Sequence, residues 1–440
     1  MDLYVALTSL GCSKNLVDSE IMLGILRDEK FMITQDFPQA HIIVVNTCGF
    51  ILPAKKESIE TILEMASYKK KGRCRLLIVT GCLAEKYREE LLKEIPEIDG
   101  ILGTSDFSRI GDLIHEKLFG TIHEHSRKTP SPYFDRYLTT PKHMAYVKIA
   151  EGCNNHCTYC VIPQLRGPYQ SRPMEEILSE VRNLIAQGVK EINLIAQDTT
   201  YYGLDLYKKA MLPELLKMLA QEKIHWIRVF YCYPERITDE LLQVIAKNKN
   251  ICRYLDIPLQ HVDRNMLKRM GRKGSRESLE KLILRIRKFL PDIALRTTFM
   301  VGFPGETEEQ FQDLLDFIEK CRFDWLGAFT YSQEEDTAAS LFQDQIAEEI
   351  KEERYHRLMA LQSRISQENQ KKWVGKTISV IIEGKMSDNP EYYYGRTQYQ
   401  APDVDGMVLI NRDTLPVGEF KQVLVTDSDI YDLIGEIIES

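Results

Sequence analysis

The sequence predicts an α/β multidomain protein made of a parallel α/β domain, a partial (β/α)6 barrel and a small antiparallel β-barrel. Strand-like and helix-like stretches alternate up to about residue 372, and this alternation is typical of parallel sheets. Two triplets of cysteines follow strand-like runs within this region. Beyond residue 373 the chain is rich in Val, Ile, Tyr and Thr and is punctuated by Gly, Asp-Asn-Pro and Asp-Gly, which favours short antiparallel strands.

The domain boundaries are expected where these patterns change. The first domain covers residues 1–122, and a segment rich in Pro, Thr, His and Arg at 123–141 is expected to be a linker. The partial barrel and its exit helix cover 142–372, and the small β-barrel covers 373–440. Three domains suit this chain, because 440 residues are too many for one ordinary hydrophobic core.

The first domain has three predicted strands that end at the sequences LGC, NTC and TGC. Helical runs follow them near residues 17–29, 54–67 and 84–94. The carboxyl ends of parallel strands share one edge of a sheet, where ligands bind. Cys12, Cys48 and Cys82 are therefore expected to meet, although they are 36 and 34 residues apart. The predicted strands are Tyr4–Ser9, His41–Asn46 and Arg75–Thr80.

The second domain has six predicted strands with helical stretches between them, for example at 174–187, 277–289 and 308–320. Six βα units predict an open barrel of parallel strands whose chemistry lies in the loops after the strands. A charged helix at about 345–372 leads out of the barrel. The six strands are Met144–Ala150, Glu191–Gln197, Trp226–Tyr231, Tyr254–Leu259, Ala294–Val301 and Trp325–Tyr331.

The composition and the N-terminus indicate a protein of the cytoplasm. Hydrophobic residues make up 44% and charged residues 28% of the chain, the balance of a soluble globular protein. The apolar runs are shorter than the roughly 20 residues of a membrane span, and MDLYVALTSLGCSKN lacks the features of a signal peptide. Disulfides are not expected in such a chain, so its ten cysteines are better explained by metal binding or burial.

Most of the net charge of −8 lies in the last domain. Residues 373–440 carry 5 basic and 12 acidic side chains, which leaves −7. An acidic surface repels the backbone of a nucleic acid and attracts a basic partner.

The strongest chemical signal is the C-x3-C-x2-C spacing of Cys153, Cys157 and Cys160, just after the first strand of the second domain. Three close thiolates on one loop can ligate three irons of a cubane cluster and leave the fourth iron open for a small molecule. Zinc, with His156 as a further ligand, is the alternative. Zinc sites usually combine four ligands in two close pairs, and no second pair stands nearby.

This triplet, with Tyr159 as the aromatic residue before the last cysteine, resembles the signature of the radical S-adenosylmethionine (SAM) superfamily. The resemblance implies a [4Fe-4S] cluster held by the three cysteines, with SAM bound to the open iron. It also implies a partial-barrel fold. The implied chemistry is reductive cleavage of SAM followed by hydrogen abstraction from an unactivated C–H bond.

Other stretches resemble one family within that superfamily, the methylthiotransferases. These are LGCSKNLVDSE, NTCGFI, TGCLAEKY, RGPYQSRP at 166–173 and RTTFMVGFPGET at 296–307, followed by a C-terminal TRAM-like barrel. The resemblance implies that Cys12, Cys48 and Cys82 hold a second [4Fe-4S] cluster that delivers sulfur. No catalytic side chain is assigned beyond the two clusters.

Several residues at or near strand ends are candidate contacts of SAM. The GFPGE loop from Gly302 to Glu306 lies between a strand and a helix, where glycine backbone can approach a ligand. An ordinary strand–helix turn is the alternative for this loop. Location in the barrel, or for Tyr159 the family signature, suggests the remaining candidates, for which a structural hydrogen bond is the main alternative. The complete set is Tyr159, Gln197, Gln260, Arg296, Gly302 and Glu306.

The motifs CSKN, VDSE, NTCGFI and RGPYQSRP resemble the ribosomal-protein branch of the family, the RimO type. That branch methylthiolates the β-carbon of an aspartate in protein twelve of the small ribosomal subunit. The resemblance therefore implies a ribosomal protein or subunit as substrate, an electron donor and a sulfur source as partners, and no membrane.

Two other functions stay open at this point. The first is methylthiolation of a tRNA adenosine by the same chemistry, which the acidic last domain disfavours. The second is an iron–sulfur electron carrier or sensor. A carrier would explain six clustered cysteines but not an open-iron site in a six-strand partial barrel.

Overall fold

The first domain is a five-stranded parallel sheet in the order β2-β1-β3-β4-β5. It comes from a computed structural model, which describes residues 3–120 and 135–438. The central strands β3 and β4 are buried on both faces, as their runs of Ile, Val and Leu predict. In chain order the elements are β1 (Tyr4–Ser9), α1 (Ser13–Asp28), β2 (Met32–Ile33), β3 (Ile42–Thr47), α2 (Leu52–Lys71), β4 (Leu76–Gly81), α3 (Cys82–Lys86), α4 (Arg88–Glu94), β5 (Gly100–Ile101) and α5 (Ile110–Phe119).

Two details of this domain differ from the prediction. The sheet has two additional edge strands, β2 and β5, which are only two residues long and therefore carry no readable alternation. The helix predicted at 84–94 is two helices, α3 and α4. They separate at Tyr87, whose ψ of 37° is not helical.

The second domain is a partial barrel of six parallel strands in two groups, β6-β9-β10 and β11-β12-β13. A bridge between Ile227 and Ile251 joins the groups, so β6 and β13 are the outer edges. The six strands are β6 (Met144–Lys148), β9 (Glu191–Ile195), β10 (Trp226–Val229), β11 (Tyr254–Gln260), β12 (Ala294–Val301) and β13 (Trp325–Thr330). A short antiparallel pair, β7 (Ala150–Glu151) and β8 (Gln170–Ser171), flanks the cysteine loop.

Helices cover the outside of this barrel. Two of them begin at capping boxes, in which Ser275 and Thr307 accept hydrogen bonds from the helix backbone. The long exit helix buries Leu358 and Ile365 against the barrel core. The helices are α6 (Ile162–Arg166), α7 (Met174–Ala186), α8 (Leu212–Leu219), α9 (Asp239–Lys247), α10 (Arg264–Arg269), α11 (Arg276–Phe289), α12 (Glu308–Cys321) and the exit helix α13 (Glu348–Lys371).

The third domain is a closed five-stranded barrel in the order β14-β15-β16-β18-β17. Four of its pairings are antiparallel, but β16 and β18 run parallel, which corrects the prediction of a wholly antiparallel barrel. Parallel neighbours cannot be joined by a tight hairpin, and here the chain forms β17 after β16 and before it returns as β18. The strands are β14 (Thr377–Lys385), β15 (Tyr392–Arg396), β16 (Val408–Asn411), β17 (Phe420–Ser428) and β18 (Leu433–Ile437).

The third domain closes the amino-terminal end of the partial barrel. The buried side chain of Arg396 donates hydrogen bonds of 2.7 Å to both Glu191 and Glu383. Tyr254 donates a hydrogen bond of 2.7 Å to Asp405. Because Glu191 and Tyr254 are the first residues of β9 and β11, the third domain lies opposite the strand ends that carry the cysteine loop.

This arrangement changes the expected acidic surface of the third domain. Glu383 is paired with Arg396, and Asp405 lies 3.4 Å from Arg296, so neither acid is presented to a partner. Asp403 is exposed but accepts a hydrogen bond of 3.2 Å from Tyr146. The other exposed acids among the described residues of this domain are Asp388, Glu391, Asp413, Glu419, Asp427, Asp429 and Glu436.

The predicted linker is only partly described, since residues 123–134 lie outside the described residues. Its described part packs along α1, where the backbone N–H of Tyr137 donates to the carbonyl of Glu20 and the N–H of Thr139 donates to the Glu20 carboxylate. Over residues 3–120 and 135–438, none of the helices has the length and apolar character needed to cross a bilayer.

Candidate functional site

The structure brings Cys12, Cys48 and Cys82 together at one edge of the first sheet. Cys12 caps the N-terminus of α1, Cys48 follows β3 and Cys82 begins α3 directly after β4. Because β1, β3 and β4 are neighbours, their carboxyl ends lie side by side. The thiols are close enough for charge on Cys12 to raise the pKa of both Cys48 and Cys82.

Gly11 and Asn15, which lie close to Cys12 in the sequence, explain the local fold around these cysteines. Gly11 has φ +84°, and a Cβ at this position would lie 2.9 Å from the sulfur of Cys48. Only glycine therefore allows the first loop to approach Cys48 so closely. The amide of Asn15 donates hydrogen bonds of 2.9 Å to the carbonyls of Leu10 and Thr47, which ties the ends of β1 and β3 together.

The environment of this triplet suits thiolates that bind a metal. Burial raises the pKa of Cys82 to about 12, against the opposing charge of Arg166. Burial also opposes ionisation of Cys12, but Lys14, Arg166 and the helix N–H groups outweigh it and lower the pKa of that thiol. Cys12 is the exposed member of this triplet, whereas Cys48 and Cys82 are buried. A metal cluster would supply the remaining positive charge that thiolates at Cys48 and Cys82 require.

The second triplet lies on the loop between β7 and α6. Cys153, Cys157 and Cys160 are all half-buried. Two of the sulfurs face backbone N–H donors: the N–H of Asn155 lies 3.4 Å from Cys153, and that of Ile162 lies 3.5 Å from Cys160. Burial and the neighbouring thiols raise the pKa of Cys160 to about 12. Three neighbouring thiols, two of them facing N–H donors, fit a cubane cluster in which the protein ligates three of the four irons.

Close backbone contacts fix the start of this loop. Gly152 has φ +71°, and a Cβ there would overlap the carbonyl oxygen of Pro168. The N–H of Cys153 donates a hydrogen bond of 3.1 Å to the carbonyl of Gly167. Further along, Asn155 donates to Asp198 at 2.9 Å and accepts from Arg236 at 3.0 Å. The loop is therefore held at both its start and its middle.

The two triplets lie on opposite sides of one domain boundary. Cys82 packs against Val161 and Leu165, which follow Cys160 in the chain. Thr104 of the first domain donates a hydrogen bond of 2.6 Å to the carbonyl of Leu165. Cys160 of the second triplet is therefore followed directly by Val161, which packs with Cys82 of the first triplet.

A buried cluster of four charges joins the two domains at this boundary. The carboxylate of Glu151, two residues before Cys153, accepts hydrogen bonds from Lys148 at 2.6 Å and from Arg166 at 2.9 Å. The same two cations pair with Asp18 of α1. Arg166 also donates to Asn15, which lies beside Cys82. Lys148 and Arg166 lower the pKa of Glu151, although its burial acts in the opposite direction.

Four of the six candidate SAM contacts lie around the second triplet or at strand ends. Tyr159 packs edge-to-face on Phe303 of the GFPGE loop, with ring centroids 6.4 Å apart. Gln197 donates a hydrogen bond of 3.1 Å to Glu151, and its buried amide oxygen has no partner among the described residues. Gln260 ends β11 with φ +70°, and Gly302 follows β12 with φ +68°.

The other two candidates, Glu306 and Arg296, each pair with charged residues of the protein. Glu306 is fully buried and accepts hydrogen bonds from Arg354 at 2.6 Å and from the N–H of Gly302 at 2.7 Å, while His261 lies 3.1 Å away. The carboxylate therefore shapes the GFPGE loop from within. Arg296 lies 3.2 Å from Asp256 and 3.4 Å from Asp405, on the side of the third domain.

Other functional residues are not identified by the sequence reasoning. Lys14, Asp18 and Arg166 lie inside the recognised motifs and Glu151 lies two residues before Cys153, but the motifs do not indicate that these residues meet across a domain boundary. The available signal was the proximity of charged residues to cysteines in both triplets. The four cysteines outside the triplets are buried, namely Cys74, Cys232, Cys252 and Cys321.

Among the described residues, no three His, Cys, Asp or Glu side chains converge closely enough to hold one metal ion. Thiolates that each bind a different iron of a cubane stand farther apart than ligands that share one ion.

Comparison with family models matches each of the three domains. Residues 4–103 match the model described as Uncharacterized protein family UPF0004, residues 147–318 match the Radical SAM superfamily, and residues 374–438 match the TRAM domain.

Curated relatives resemble the whole chain. A protein of Clostridioides difficile (strain 630) named ribosomal protein uS12 methylthiotransferase RimO is 51% identical over 443 residues, which cover 99% of each chain. A protein of the same name from Lachnoclostridium phytofermentans is 51% identical and covers 97% of this chain and 98% of its own length.

Solved structures support the fold. The radical SAM methyltransferase TsrM from Kitasatospora setae, solved with cobalamin and a [4Fe-4S] cluster, has a TM-score of 0.53 at 16% identity and covers 75% of each chain. The cobalamin-dependent radical SAM enzyme OxsB has a TM-score of 0.52 at 15% identity, covering 82% of this chain and 61% of its own.

Proposed function

This chain belongs to the family of ribosomal protein uS12 methylthiotransferases, radical SAM enzymes of the RimO type, and we propose that it transfers a methylthio group to the β-carbon of an aspartate in that ribosomal protein. The observation that carries the proposal is the position of the two cysteine triplets. Each follows the carboxyl end of parallel strands, and Cys82 of one triplet packs against Val161 beside the other.

We assign a [4Fe-4S] cluster to each triplet. Cys153, Cys157 and Cys160 would hold the cluster that binds SAM, and Cys12, Cys48 and Cys82 would hold the second. The N–H donors beside Cys153 and Cys160 and the guanidinium beside Cys82 supply the positive potential that bound thiolates need. When bound, SAM and the clusters would supply a radical that removes one hydrogen atom from the β-carbon. They would also supply the sulfur and the methyl group that take the place of this hydrogen.

The residues of the chain orient and shield these groups. Arg166 holds Glu151 and Asp18 in place, so that the loop of one triplet and the helix of the other keep a fixed relation. Asp198 and Arg236 hold Asn155 inside the cysteine loop. Tyr159 and Phe303 form an apolar wall beside the second triplet, which keeps water from a reactive centre.

The charges of the third domain support a protein substrate over tRNA. Its exposed acids would repel phosphates, and ribosomal proteins are usually basic. We further propose that an electron donor and a sulfur source act with the enzyme in the cytoplasm, where ribosomes are assembled.

Mass spectrometry of cells with and without the gene tests this function. We expect a methylthio group on uS12 only when the gene is present, and unchanged tRNA. A methylthio mark that disappears from tRNA instead would identify the tRNA alternative. With purified protein under strict anaerobic conditions, S-adenosylhomocysteine and 5′-deoxyadenosine should both accumulate with product, because SAM would serve as methyl donor and as radical source. Product formation with only one of these two compounds would contradict the proposed chemistry.

A further inference from the structure

Lys14 carries a buried ammonium group that pairs with no carboxylate of the described residues, although its charge acts on the nearby thiol of Cys12. Only 8% of the residue is exposed. Its Nζ atom lies 3.6 Å from the ring centroid of Tyr231, a residue of the second domain. Over residues 3–120 and 135–438, no hydrogen bond or ion pair engages this ammonium. A buried charge of this kind is costly unless something pairs with it.

The neighbouring cations differ from Lys14 in this respect. Lys148 and Arg166 share the two carboxylates of Asp18 and Glu151, so that their charges are compensated. The ammonium of Lys14 points away from this cluster and onto Tyr231. It also does not fold back onto Cys12, whose charge it senses without a hydrogen bond from the side chain.

The position of Lys14 is that of a ligand contact. It lies in the first turn of α1, two residues after Cys12, at the carboxyl edge of the first sheet. Tyr231 follows β10 at the carboxyl edge of the barrel, in the unusual conformation of φ +56°. Its backbone N–H donates a hydrogen bond of 3.2 Å to Asp256, which fixes the backbone at this position. Ligands bind at such strand ends in both kinds of sheet.

We propose that Lys14 binds the side-chain carboxylate of the substrate aspartate, and thereby selects an acidic residue for modification. This inference rests on the proposed function. A substrate carboxylate carries the charge and the acceptor atoms to pair with this ammonium, whereas a neutral adenine ring carries no charge. Methylthiolation of the β-carbon leaves the carboxylate intact, so the contact persists from substrate to product.

Paired variants of enzyme and substrate test this contact. Binding of uS12, and of uS12 with the modified aspartate changed to Asn, would be measured with the metal-free and the reconstituted enzyme. Wild-type enzyme should prefer Asp over Asn by about 10- to 100-fold, the range for a charge-assisted hydrogen bond. Lys14→Gln should remove most of this preference, and Lys14→Arg should retain it. The kcat/KM ratio for the two substrates should change in parallel.

Controls separate this role from others. Lys93→Gln removes an exposed lysine of α4 and should leave the preference unchanged. The inference is overturned if Lys14→Gln weakens both substrates equally, lowers the affinity for SAM, or shifts the reduction potential of the N-terminal cluster while the preference for Asp persists. If Lys14→Gln does not fold, the contact is still tested by comparing the two forms of uS12 on wild-type enzyme. Equal binding of uS12 with Asp and uS12 with Asn overturns the inference. Failure of the proposed function would appear separately, as absence of uS12 modification by wild-type enzyme.

Discussion

Nη2 of Arg166 lies 3.2 Å from Oδ2 of Asp18, across the boundary between the partial barrel and the first domain. The same guanidinium reaches Glu151 with its other nitrogen, and Glu151 precedes the second triplet by two residues. The side chain of Arg166 thus connects helix α1, which follows Cys12, with the segment that precedes Cys153.

Replacement of Arg166 by Gln should destabilise the protein by about 3–5 kcal/mol, because it leaves two buried carboxylates with one cation. Denaturant unfolding of the metal-free protein would measure this. Arg182→Gln is the matched control, since that arginine pairs with Glu222 at the surface and is 63% exposed. Comparable losses in the two variants would show that the buried cluster has no special role.

The two triplets should divide the chemistry between them. Cys157→Ala should abolish reductive cleavage of SAM, because an iron of the SAM-binding cluster loses its thiolate. Cys48→Ala should still cleave SAM but form no methylthiolated product. Each variant should retain about half of the iron of the wild-type enzyme. Loss of SAM cleavage in Cys48→Ala, with the other cluster spectroscopically intact, would disprove this assignment.

Two glycines with nearly equal positive φ angles should respond differently to alanine. Gly152 and Gly167 have φ of +71° and +70°, but a Cβ at Gly152 would overlap the oxygen of Pro168 and a Cβ at Gly167 would meet open space. Gly167→Ala should cost about 1–2 kcal/mol of unfolding free energy from backbone strain alone. Gly152→Ala should cost more and should also reduce iron at the second triplet. Equal effects in iron content and unfolding would contradict this explanation.

Glu383 should make stability depend on pH in the acid range. Burial would raise its pKa, but the imidazole of His143, which lies 3.6 Å away, and the charge and hydrogen bond of Arg396 outweigh burial and lower the pKa from 4.5 to about 2. A carboxyl with a lower pKa in the folded state stabilises the fold above its unfolded-state pKa, and this contribution is lost as the pH falls from about 4.5 to about 2.

The size of this contribution at neutral pH is about 3 kcal/mol. Glu383→Gln should therefore be less stable than wild type at pH 7, and the gap in unfolding free energy should narrow below pH ~4.5. Glu419→Gln removes a surface carboxylate that pairs with Lys190 and should show little such change. A gap for Glu383→Gln that stays constant with pH would contradict the lowered pKa.

The exposed acids of the third domain should accelerate encounter with a basic substrate. Changing Asp427 and Asp429 to Lys should slow association with uS12 by about tenfold at low salt, and added salt should reduce the difference. The control reverses two exposed acids of α4, Glu89 and Glu90. An association rate that is insensitive to the first pair, or tight salt-dependent binding of tRNA by the wild-type enzyme, would defeat this role.

The sequence was sufficient to predict which residues meet at the edges of the sheets. It was insufficient to predict which residues contact each other across domains. The convergence of Cys12, Cys48 and Cys82 follows from strand–helix alternation, since parallel strands place their carboxyl ends together. The partners of Arg296 could not be read in this way, because Asp405 comes from a different domain 109 residues later. The formal charge of the third domain was similarly incomplete, because a count of acids does not show that Glu383 and Asp405 are paired internally.

The GFPGE loop illustrates a second limit. Its glycines correctly mark a turn between β12 and α12, but the sequence does not reveal which way Glu306 points. The inward orientation depends on Arg354 of the exit helix, a residue 48 positions later. Side-chain direction within a loop is decided by such distant partners rather than by local pattern.

The attachment of the third domain sets a minimum distance that a substrate bound to this domain must span to the cysteines. The salt bridge from Arg396 to Glu191 fastens this domain to the amino-terminal end of the barrel strands, whereas the cysteines lie beyond the carboxyl end. Strands of up to eight residues separate the two ends, which is about 25 Å of rise. A molecule gripped by the third domain must therefore extend a flexible arm at least this long along the open side of the barrel. A protruding protein loop meets that requirement, and a lone amino acid does not.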